Sequence, residues 1–107
     1  MALPRDIAIE LAMARDAGLD GNDGKARVCA RRAVAKAYAY SSLSGLNDGL
    51  LSSIQCLNII SESIEMTEEI HSAAARLMTS VASHTGGSIS DAPVEDALII
   101  ITALLRK

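Results

Sequence analysis

Tyr38 and Tyr40 are the only aromatic residues in this chain, which has no Phe and no Trp. An aromatic ring fills a core quickly, burying about 150–250 Å² of surface per side chain. Without rings the interior must be built from aliphatic side chains, and Ile, Leu, Val and Met together supply thirty-one of the 107 residues. Such a core is thin. It closes by packing helices tightly over alanine or by adding a second subunit, so a homodimer is the expected assembly.

The stretch Gly24–Tyr40 supplies the alanine. Ala26, Ala30, Ala33 and Ala37 recur at steps of four and three, which places them in one narrow arc of a helix. An alanine stripe admits a neighbouring backbone closely. The neighbour is expected to be the preceding helix, forming an antiparallel hairpin. The same stretch carries Lys25, Arg27, Arg31, Arg32 and Lys36, half of the ten basic residues. By helical angle, Lys25, Arg32 and Lys36 share a second arc, and Arg27 and Arg31 share a third with Val34 and Tyr38.

The rest of the chain reads as further helices. Leu3, Ile7, Leu11, Ala14 and Gly18 form one face of a first helix over about Pro4–Ala17, with Pro4 suited to the first turn. Residues 19–24 reverse the chain, and Asn22 or Asp23 caps the second helix. Residues 41–45 end it. Leu46, Leu50, Ile54, Leu57, Ser61 and Ile64 mark a third periodic stretch with no clear stop. Thr67, Glu68 and Glu69 give the hydroxyl cap and acidic first turn of a fourth helix, over about Glu68–Ser83, unless one bent helix crosses 62–67. Its seam is Met66, Ile70, Ala73, Leu77 and Val81. A last helix starts at Pro93, carries Glu95 and Asp96 on its dipole and is apolar nearly all round from Ala97 to Leu105. No segment alternates with period two. The expected fold is all-α: one domain over residues 1–107, a bundle of four to five helices with a hairpin at its N-terminus.

Net charge is −3 and the pI about 5.2, far from the basic profile of a dedicated nucleic-acid domain. No secretory leader is visible at residues 1–6. Cys29 and Cys56 are therefore expected as reduced, buried thiols in a cytoplasmic protein. The apolar run at Ala97–Leu105 is too short to span a bilayer, so no membrane partner is expected.

Several chemistries fail on spacing. Asp20–Gly24 opens like a calcium loop, but Gly falls at the fifth position and Arg31 stands where the bidentate Glu belongs. Gly18 and Gly24-Lys25 are one residue too far apart for a phosphate-binding loop, and Ala26 replaces Ser or Thr. Glu68 and His71 form the Glu-x-x-His pair of di-iron bundles, but no second such pair exists. Two His and two scattered Cys give no nucleophilic grouping. No catalytic residue, cofactor or metal site is assigned.

Charge segregation survives this filter. Residues 48–96 hold eight acids against one base, Arg76, whereas residues 25–36 hold five bases and no acid. The basic residues either pair with acidic helices of the same fold or form a binding surface for phosphate or an acidic partner. Ile7–Tyr40, with its small-residue first helix, glycine-containing turn and Ala/Arg-rich second helix, resembles the opening hairpin of HEPN helical-bundle domains. That resemblance implies a small all-α domain that dimerises, of a family found in toxin–antitoxin and nucleotidyltransferase-associated systems and including ribonucleases. The family's ribonuclease signature is Arg, four to six residues, then His. Here seven residues separate Arg76 from His84, about 12 Å of helical rise. The leading expectation is a non-enzymatic, homodimeric protein-interaction module. The alternative is an HEPN-like RNA- or nucleotide-binding module using Lys25, Arg27, Arg31, Arg32 and Lys36.

Overall fold

The computed structural model of the chain describes residues 3–40, 52–64, 66–78 and 93–106. These residues form five α-helices and no strand: α1 (Arg5–Leu19), α2 (Asp23–Tyr40), α3 (Ser53–Glu62), α4 (Glu68–Met78) and α5 (Pro93–Leu105). The fold is an all-α bundle.

The turn between α1 and α2 is built by Gly21 and Asn22. Gly21 takes a positive φ of 79°, a region open to glycine at no steric cost. Its N–H bonds the carbonyl of Gly18 at 3.1 Å, while the N–H of Asn22 reaches the carbonyl of Ala17 at 2.8 Å. These two bonds make a Schellman closure of α1. Asn22 then turns to the next helix, its Oδ1 accepting the N–H of Lys25 at 3.2 Å. One residue thus closes α1 and opens α2. α1 runs two residues beyond the expected Ala17, and its core face holds Ile7, Glu10, Leu11, Ala14 and Ala17. Gly18 is exposed, so its place on the expected face passes to Ala17.

The antiparallel hairpin forms as the alanine spacing predicts. Tyr40 Oη lies 3.4 Å from Asp6 Oδ1, and Lys36 Nζ lies 3.2 Å from Glu10 Oε2. That register sets Ala14 and Ala17 level with Cys29, Ala30 and Ala33. All four alanines of the seam, Ala26, Ala30, Ala33 and Ala37, are buried. Among the described residues α2 touches each of the other four helices, and it is the axis of the bundle. Cys29, Val34 and Tyr38 are buried beside the seam.

The third periodic stretch is corrected at both ends. Ser52 is extended (φ −74°, ψ 166°) and caps α3 through a reciprocal box with Gln55, so α3 cannot include Leu46 or Leu50, which lie outside the described residues. At the other end Ser63 is extended (φ −73°, ψ 124°), and Thr67 Oγ1 accepts the N–H of Ile70 at 3.4 Å to open α4. α3 and α4 are therefore separate helices. With both ends removed, the core face shifts to Cys56, Leu57 and Ile60, while Ile54 is exposed and Ile64 is 98% exposed in the connection.

In α4 the expected seam holds at Met66, Ile70, Ala73 and Leu77. Val81, the stretch to Ser83, His84 and the chain between α2 and Ser52 lie outside the described residues. α5 buries Ala97, Ile100, Ile101 and Leu104 against α2 and α4. No described helix is long and apolar enough to cross a membrane.

Candidate functional site

The basic residues of α2 are divided by the bundle. Arg27 is buried, with Nη1 3.5 Å from the carbonyl of Asp23. Arg31 is half-buried and donates its Nε–H to the carbonyl of Leu77 in the last turn of α4. The last carbonyls of a helix lack partners within it and carry its negative dipole end, so a guanidinium is well suited there. Burial, and then the neighbouring charge of Arg27, push the Arg31 pKa below its ordinary value. Lys36 is half-buried on the carboxylate of Glu10, itself nearly buried. Lys25 and Arg32 alone are exposed.

The structure therefore does not bring the five cations to one surface. It draws Arg27 and Arg31 inward, sets Lys36 against α1, and leaves Lys25 and Arg32 seven residues apart on an outward stripe that includes Val28 and Ala39. The cause is visible in the helical angles. Arg27 and Arg31 share an arc with Val34 and Tyr38, and that arc faces the other helices because α2 is central.

Arg76, the base within the acidic half, bridges α4 and α5. Its Nη2 and Nε lie 2.8 and 3.2 Å from the two carboxylate oxygens of Asp96. This two-pronged hydrogen bond holds the Arg76 guanidinium above its ordinary pKa, against a partial loss from burial. α4 and α5 run antiparallel, so the bond pins one end of the pair. Towards the other end lies an open groove of about 700 Å³, walled by Met66, Thr67 and Ile70 on one side and by Leu98, Ile99, Thr102 and Ala103 on the other. Glu69 stands on the α4 rim and Arg106 on the α5 rim, both exposed. Sequence patterning did not signal this groove, because its lining comes from two helices together. The half-exposed Leu98 and Ile99 were legible only as part of an all-round apolar helix.

The Glu68–His71 pair has a structural use. His71 Nε2 lies 2.6 Å from the carbonyl of Ser63 and Nδ1 lies 3.8 Å from Glu68, so the ring ties α4 to the end of α3. Among the described residues no group of three or more His, Cys, Asp or Glu is placed to hold a metal ion. Cys29 and Cys56 are both buried free thiols.

Comparison with protein-family models gave no match, and comparison with curated proteins and with solved structures gave no significant one.

Proposed function

We propose that this chain is a non-enzymatic helical module that works by binding protein, and that its first partner is a second copy of itself. The observation that carries the reading is the incomplete cover of α5. Leu98, Ile99, Ala103 and Leu105 stay half-exposed after the helix has packed on α2 and α4. A helix apolar on all sides is stable in water when another surface covers the remaining face. The internal use of Arg27, Arg31 and Lys36 supports the same reading, since it removes most of the surface an anionic ligand would need. Light scattering over a hundredfold range of protein concentration tests it. A mass of twice 11.2 kDa is expected, and a monomer at every concentration overturns the proposal.

A second reading, an HEPN-like module binding RNA or a nucleotide, is favoured by the exposure of Lys25 and Arg32 on one stripe of α2. Two phosphate contacts give a salt slope of about −1.8, against about −4.5 for five. Binding of an RNA oligonucleotide at low salt that is abolished by Arg32→Glu would support it, and indifference to both salt and charge reversal removes it.

A further inference from the structure

We infer that the second copy docks over the open end of the α4/α5 pair, so that Glu69 of each copy faces Arg106 of the other across a two-fold axis. The inference rests on the reading of the chain as a self-associating module and names the surface and the pairing. Three observations carry it. The groove is lined mainly by apolar side chains beside Thr67 and Thr102: buried Met66 and Ile70 back it on α4, and the half-exposed Leu98, Ile99 and Ala103 of α5 contribute the surface a docked helix would cover. Its rim carries one acid and one base on opposite walls, Glu69 and Arg106, and no ion pair joins the two among the described residues. The far end of the same helix pair is closed by the Arg76–Asp96 bond, which joins the two walls there.

The rim decides between occupants. A groove built for an anionic amphiphile or an acidic peptide would be rimmed by bases, and one for a basic peptide by acids. One charge of each sign on facing walls is self-complementary: a two-fold rotation sets each acid against a base and each base against an acid. A second copy satisfies both rims at once, and a ligand of single charge satisfies one and opposes the other. The apolar walls supply the affinity and the rim supplies register and orientation.

Charge exchange tests the pairing. Glu69 and Arg106 are exposed, so Glu69→Arg and Arg106→Glu leave the core intact, and circular dichroism checks this for each variant. The dimer dissociation constant is measured by light scattering and sedimentation for the wild type, both single variants and the double variant. Each single change places like charges opposite one another twice, and about a tenfold weakening is expected, with recovery to within about threefold in the double variant. A wild-type chain that is monomeric throughout overturns self-association, and the inference with it; a peptide or amphiphile as the true occupant would give that result. A dimer insensitive to all three variants, and also to Ile99→Glu in the groove wall, leaves self-association standing and overturns this surface. Weakening in both single variants without recovery in the double variant overturns the exchanged pairing.

Discussion

Arg31 on α2 donates its Nε–H to the backbone carbonyl of Leu77 on α4, forty-six residues away in the chain. The bond ties the central helix to the C-terminal turn of a helix with which it otherwise shares little surface, α2 packing far more extensively on α1 and α5. A residue that reads as part of a basic patch is therefore a cap for a remote helix. Arg31→Met keeps the aliphatic stem and removes the donor. The expected cost is about 1–2 kcal/mol, the range for a hydrogen bond with one charged partner in a half-buried setting. Urea unfolding checks it, and a midpoint unchanged from wild type would show that the carbonyl is satisfied without Arg31.

The alanine seam sets the interhelical distance between α1 and α2. Ala30 and Ala33 are fully buried, whereas Ala39, on the same helix, is exposed. Ala33→Leu forces a larger side chain into a close-packed site and is expected to destabilise by about 1–3 kcal/mol. At roughly 4–8 °C per kcal/mol for a domain of this size, calorimetry resolves that easily. Ala39→Leu is the control and should change the Tm by less than about 3 °C, since surface substitutions stay within about 0.5 kcal/mol. Equal effects at the two positions would contradict the assigned seam.

What the sequence made legible follows from periodicity. Ile7, Leu11 and Ala14, the four seam alanines, and Met66, Ile70, Ala73 and Leu77 all lie where a helical face predicts. The miss at α3 has a local cause. A capping box at Ser52 and an extended Ser63 cut a longer apolar period at both ends, and such caps compete with periodicity over short helices. The division of the basic cluster was hidden for a different reason. Charge density along a sequence does not report which arc of a helix faces inward, and only the central position of α2 buries the arc of Arg27 and Arg31. The groove between α4 and α5 is a property of two helices together and has no single-helix signature.

Burial governs the thiols. Cys29 and Cys56 are buried, and loss of solvation pushes the Cys56 thiol above its ordinary value of 9.0. For a group raised on folding, the associated stability is full below the unfolded value and declines as pH rises through the folded one. Stability should accordingly fall from about pH 9 upward. At pH 8 a thiolate-directed reagent should leave both cysteines unmodified on the timescale that labels a free thiol, and should modify both in urea. Rapid labelling of the native protein would show that α2 and α3 do not enclose them as described.

Arg76 and Asp96 join α4 to α5 with two hydrogen bonds, Arg76 being one-third exposed and Asp96 nearly buried. A double-mutant cycle with Arg76→Leu and Asp96→Asn isolates their coupling, expected at on the order of 1 kcal/mol given the partial exposure and two-pronged geometry. Arg76→Lys should lose most of it, because an ammonium cannot match both carboxylate oxygens in plane. The pair also pins the closed end of the groove, so its loss should loosen the cradle walled by Met66, Ile70, Leu98 and Ile99. The dimer dissociation constant should rise with Asp96→Asn although residue 96 does not line the groove. If Asp96→Asn lowers the Tm and leaves self-association unchanged, the closed end does not hold the walls, and the groove takes its shape from α5 packing on α2 instead.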